Sequence, residues 1–77
     1  MRLDVTLKQT RIIKRRTVAK EIIDKGHVFI NGKNAKPSSE VKDGDIILIK
    51  GQNRNIEVKI SLDETGKKPV VSFEEIK

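Results

Sequence analysis

Residues 8–26 read KQTRIIKRRTVAKEIIDKG, and the order of charge and apolar character within them decides how the chain folds. From Lys8 to Lys20 stand six cations, Lys8, Arg11, Lys14, Arg15, Arg16 and Lys20, with no acid among them. Val18, Ala19, Ile22 and Ile23 share one side of a helix that runs from about Lys14 to about Lys25. Glu21, Asp24 and Lys25 fall on its wet side, and Gly26 stands where a left-handed glycine ends a helix. Lys14, Arg15 and Arg16 crowd the helix start, where free backbone amides already carry partial positive charge. Such a placement costs helix stability unless an anion compensates it, and phosphate suits the position. Arginine forks onto phosphate as lysine cannot, so Arg11, Arg15 and Arg16 lead the candidates.

Before this stretch, residues 3–9 predict a short helix with Leu3 and Leu7 on one face. Asp4 suits its positive end, and Asp4 with Lys8 forms a favourably ordered i,i+4 pair. Arg11 to Lys14 connects the two helices, with Ile12 and Ile13 apolar enough to tuck beneath. Arg16 is expected to be exposed, so its truncation should weaken binding with little loss of folding.

After Gly26 the pattern changes to short strands. His27–Ile30 and Lys33–Ala35 flank Asn31-Gly32, a strong two-residue hairpin signal. Pro37-Ser38-Ser39 breaks the run, and Asp43-Gly44-Asp45 makes a tight turn into a strand over Ile46–Lys50. The chain turns again over Gly51–Asn55. Ile56, Val58, Ile60 and Leu62 alternate with Glu57, Lys59 and Ser61, as in a half-buried strand. A polar loop over Asp63–Lys68 leads to a last strand, Pro69–Phe73, placed at an edge because proline lacks the ladder donor. Two helices followed by four to five short strands predict an α+β domain, its helices packed on a small, curved antiparallel sheet. Residues 1–77 read as a single domain, with no internal repeat, low-complexity tract or dividing linker.

The composition narrows the function. With 77 residues, no Trp, no Tyr and two Phe, the core must be thin and built of Ile, Val and Leu. The absence of Cys removes disulfides, thiolate metal sites and thiol nucleophiles, and a single His cannot supply a histidine metal cluster. Residues 1–42 carry +7 and residues 43–77 carry −1, within a total of +6. That directed basic surface is a footprint of nucleic-acid binding. No apolar run reaches the roughly 18 residues of a membrane span, and Met1-Arg2 leads directly into domain-like sequence with no secretory signal. A cytoplasmic protein is expected. The narrow Val, Ala and Ile face of the second helix is needed for the core, which argues against a membrane surface as partner.

Catalysis finds little support. The acids are scattered, and Asp43 and Asp45 are accounted for by the turn around Gly44. Gly32, Gly44 and Gly51 do not have phosphate-loop spacing. His27 is expected to face solvent or bond to backbone, and Phe29 to pack rather than stack on a base. No enzyme activity, cofactor or metal is expected.

An ordered set of residues then resembles a known family. Arg2-Leu3-Asp4 with Leu7, Arg16, Ala19, Ile22-Ile23, Gly26, Val28, Ile30-Asn31-Gly32, Lys36-Pro37-Ser38 and Gly44-Asp45 resemble the RNA-binding domain first described in ribosomal protein S-four. The match spans residues 2 to about 49, with C-terminal strands over about 54–76 beyond it. Arg15 stands where that family commonly has serine, so the usual hydroxyl cap is missing. Within the family, Arg2-Leu3-Asp4, Ile13-Lys14-Arg15-Arg16-Thr17, Ala19-Lys20-Glu21 and Ala35-Lys36-Pro37-Ser38-Ser39 are similar to the stand-alone RqcP (YabO) group of bacterial ribosome quality control. The resemblance implies an α-L RNA-binding motif and a place on obstructed large ribosomal subunits. It also implies contact with large-subunit rRNA and peptidyl-tRNA, and support of alanine tailing alongside an RqcH/NEMF-type factor. An alternative is the related heat-shock protein fifteen type, whose longer basic C-terminal extension is unlike the Glu74-Glu75 end here. RNA-modifying enzymes such as pseudouridine synthases carry the same domain as an appendage to a separate catalytic domain, for which 77 residues leave no space. The expected RNA-binding residues are Arg2, Lys8, Arg11, Lys14, Arg15, Arg16, Lys20 and Lys36, on a monomer that binds RNA by shape.

Overall fold

The computed structural model describes residues 1–51 and 55–76. The expected turn over Gly51–Asn55 therefore falls largely outside the described residues. Helix α1 spans Leu3–Gln9 and α2 spans Arg16–Asp24, followed by strands β1 (Val28–Ile30), β2 (Lys33–Asn34), β3 (Ile46–Lys50), β4 (Asn55–Asp63) and β5 (Val70–Ile76).

Helix α1 begins where loop carbonyls receive its first amides. Leu3 N–H donates to the Ser39 carbonyl at 2.9 Å and Asp4 N–H to that of Pro37 at 3.3 Å. Its end is closed by Thr10, whose hydroxyl donates to the Thr6 carbonyl at 2.8 Å. Arg11 then turns the chain with φ 62°, a left-handed conformation in which glycine is the usual residue. Helix α2 starts two residues later than the sequence predicts. Lys14 and Arg15 lie outside it, and Arg15 is extended at the N-cap with no side-chain bond. The extended backbone at Arg15 (φ −118°, ψ 129°) ends the helix there, and the first turn holds neither a side-chain cap nor an acid. At the other end Gly26 takes φ 81° as expected. Its N–H reaches the Ile23 carbonyl and His27 N–H that of Ile22, the paired bonds of a Schellman stop.

The five strands form one antiparallel sheet in the order β2-β1-β3-β4-β5. The Asn31-Gly32 turn has positive φ at both residues, 51° and 85°, which matches the twist of the flanking strands. Asn31 also binds across to β3, accepting from Ile46 N–H at 3.0 Å and donating to Asp45 at 3.1 Å. Asp43 accepts Leu62 N–H and Asp45 accepts Lys42 N–H, both at 2.8 Å, so both acids serve the turn. Strand β2 ends at Asn34, one residue early, and β5 continues to Ile76, three residues beyond expectation. The extension follows from seven register pairs with β4, from Asp63↔Val70 to Glu57↔Ile76. Pro69 precedes β5, which is an edge strand.

One sheet face faces the helices. The register sets Val28 beside Ile49, and Ile47 beside both Ile30 and Val58. Leu3 and Leu7 of α1, Ala19 and Ile23 of α2, and Ala35 and Val41 from loops complete the buried cluster. Truncating one of these large side chains, such as Leu7→Ala, should cost about 2–5 kcal/mol.

A candidate RNA interface on the two helices

Asp4 departs most from expectation. It is not the surface partner of Lys8; its side chain is 0% exposed. Two guanidinium groups meet it from outside: Arg2 Nε lies 3.3 Å from Oδ1, and Arg16 Nε lies 3.4 Å from Oδ2. Val5 N–H also donates to Oδ1 at 2.8 Å. Burial of an ionised carboxylate is tolerable only when it is paired and hydrogen-bonded, and here both conditions hold. The two arginines remain about half exposed, 49% and 50%, so their outer edges still face solvent. Arg16 is exposed as expected and is also anchored on Asp4, so its truncation is now expected to touch folding as well as binding.

The carbonyl contacts at the start of α1 set the loop after Ala35 beside this clamp. Arg2, Lys36, Pro37 and Ser38 line a shallow hollow of ≈ 460 Å³, together with Ile23 and Asp24. The loop is held by a bond from Lys36 N–H to the Ser39 hydroxyl at 2.9 Å. Lys36, far from Arg2 in sequence, thus joins it in space.

Around the corner, Lys8, Arg11 and Lys14 line a second hollow of ≈ 310 Å³. All three are exposed. Among the described residues, no carboxylate lies within 4.0 Å of their cationic atoms. Three like charges around an open concavity repel one another, and a phosphate would relieve that repulsion. Arg11 adds a second sign of function, since a non-glycine residue in the left-handed region costs about 1–2 kcal/mol. Arg15 is exposed at the α2 N-cap, and Lys20 is exposed one turn beyond Arg16 on the same helix face. Sequence reasoning missed the role of Asp4; its signal was a lone acid in an otherwise basic N-terminal segment. Phe29 is partly buried, and its ring carries Lys50 Nζ 4.9 Å from the centroid, so that contact is made within the chain.

Among the described residues no group of His, Asp or Glu could hold a metal ion, and no helix is long and apolar enough to cross a membrane.

Two helices on an open antiparallel sheet, with arginines and lysines along the helix face, define a domain of the S4 class. The S4 domain family model matches residues 1–47. The chain belongs to this family and, within it, to the family of RQC P-site tRNA stabilizing factors. The factor of that name from Listeria innocua is 49% identical over 69 residues, 88% of this chain and 75% of that protein. The Bacillus subtilis factor is 48% identical over 69 residues, with 88% and 80% covered. That of Streptococcus pneumoniae is 46% identical over 78 residues, with 99% and 89% covered. Among solved structures, the trimeric Vibrio cholerae Heat Shock Protein 15 superposes with a TM-score of 0.80 at 26% identity, covering 99% of this chain and 81% of that one. The family is one of RNA-binding, tRNA-stabilizing factors.

Proposed function

We propose that the chain, acting as one RNA-binding unit over residues 1–77, is a non-enzymatic clamp of ribosome-associated quality control. It holds peptidyl-tRNA on an obstructed large ribosomal subunit while touching large-subunit rRNA. It thereby supports alanine tailing of the stalled chain by an RqcH/NEMF-type factor that brings charged tRNA. It makes and breaks no bond itself. The names of the relatives support the tRNA and quality-control parts of this reading.

The observation that carries it is the open, acid-free hollow of Lys8, Arg11 and Lys14 beside the Arg2–Asp4–Arg16 clamp. The clamp fixes two guanidinium groups in direction, so less freedom is lost on binding. The hollow supplies charge that the chain leaves unanswered. Lys20, Arg15 and Lys36 extend the surface on either side. Contacts of this kind go to phosphates and read the shape of folded RNA, with few groups for bases. The protein would act as a monomer in the cytoplasm, bound to ribosomes.

A second reading, rescue of stalled large subunits in the manner of heat-shock protein fifteen, is favoured by the structural likeness to that protein. Alanine tailing separates the two, since both place the protein on large subunits. On the first reading the protein travels with large subunits that carry peptidyl-tRNA, and cells lacking it lose C-terminal alanine on stalled chains. Unchanged alanine tailing in such cells would reject that reading and leave the second.

A further inference from the structure

The far end of α2 carries a basic cleft that the reading above does not use. Ile22, Lys25, His27, Lys50 and Gly51 line a recess of ≈ 360 Å³, with no carboxylate in its wall among the described residues. Its geometry is fixed by backbone. Gly26 in the left-handed conformation turns the chain out of α2, and His27 N–H donates to the Ile22 carbonyl at 3.1 Å. The His27 carbonyl in turn accepts Lys50 N–H at 2.8 Å. The stop of α2 and the end of β3 are thereby locked side by side. Lys50 is further oriented by the Phe29 ring, 4.9 Å from its Nζ. The nearest acid in the Phe29 row of the sheet is Glu57, opposite Leu48, and it is not paired with Lys50.

We propose that this cleft is a second RNA-phosphate site, gripping a segment of RNA distinct from the one held by the α1–α2 face. The proposal rests on the RNA-binding reading. Helix α2 separates Arg16 from Lys25 by about 14 Å, too far for both to serve one phosphate. Lys25, His27 and Lys50, whose ammonium lies over the Phe29 ring, border the recess around Ile22, and a phosphate there would draw on their charge. A clamp that holds two RNA molecules together needs two such faces, and the cleft supplies the second on a rigid frame.

The test measures binding of the full chain to purified large ribosomal subunits carrying peptidyl-tRNA, across a salt series. Lys25→Gln/Lys50→Gln should make the slope of log affinity against log salt about 0.7–0.9 shallower, the share of one phosphate. Lys67→Gln/Lys68→Gln, an equal loss of charge in the loop before β5, should leave the slope as in the wild type. Lys25→Arg/Lys50→Arg should restore it, which separates lost charge from lost folding. An unchanged slope in the cleft variant, or an equal change in the loop control, overturns the second site. Cleft-dependent binding to phosphatidylglycerol vesicles would assign the recess to lipid and overturn it also. A flat response in the wild type overturns the RNA reading itself.

Discussion

Arg2 and Arg16 on one part of the basic face, and Lys8, Arg11 and Lys14 on the other, carry the same charge and are held in opposite ways. The first pair closes on a buried carboxylate of its own chain. The trio surrounds an open hollow and, among the described residues, meets no acid. The difference separates two contributions that a count of cations merges. The anchored pair gives the surface a fixed geometry and takes part in folding. The open trio leaves its charge unanswered among the described residues and, on the proposed reading, takes part when RNA arrives.

Stability should divide along this line most sharply. Arg2→Ala/Arg16→Ala strips both charged partners from Asp4, leaving only the Val5 N–H, and should cost on the order of 3–5 kcal/mol, read by urea denaturation. Arg16→Ala alone, with Arg2 still in place, should cost about 1–3 kcal/mol. Lys8→Ala/Lys14→Ala should stay within about 0.5 kcal/mol of the wild type. Equal losses from the two double variants would erase the distinction.

Binding should show the converse. Replacing Lys8, Arg11 and Lys14 together by Ala should make the salt slope about 2.1–2.7 shallower on large ribosomal subunits. A smaller effect is expected at Arg11 alone. Arg11→Gly should stabilise the fold by about 1 kcal/mol by relieving the left-handed turn, while weakening ribosome binding. If stability and binding rise together, Arg11 is not kept for its charge.

Glu40 provides the smallest contrast, an exposed carboxylate answering a cation. A hydrogen bond from the Met1 ammonium, with its charge, holds the Glu40 carboxyl below the usual range. A lowered folded pKa contributes stability that is present above the unfolded value and lost as pH falls through the folded one. The thermal midpoint of Glu40→Gln should therefore sit slightly below the wild type near neutral pH, and the gap should close in acid. A gap that widens in acid would contradict that sign.

Local signals carried most of the fold. Asn31-Gly32, Gly26 and the alternation over 56–62 each act through neighbours in sequence, and each predicts its element within a residue or two. Lys8, Arg11 and Lys14 were each among the expected cations, but their grouping around one hollow was not foreseen. Asp4 was not legible either, because its partner Arg16 is twelve residues away and nothing in the spacing marks a carboxylate as buried. Lys36 reached Arg2 through amide bonds from α1 to Pro37 and Ser39, which sequence periodicity does not encode. The left-handed turn at Arg11 was hidden because glycine normally announces it. The start of α2 at Arg16 puts Arg15 at the N-cap, the position where the family commonly has serine, so the boundary was marked in the sequence although the helix was expected from Lys14.

The central claim is that directed, unneutralised cations on the two helices grip RNA phosphates, and the wild-type affinity for purified large ribosomal subunits against salt tests it most directly. Engagement of about five phosphates predicts a slope of log affinity against log salt near −3.5 to −4.5. An affinity that does not change with salt would contradict the account.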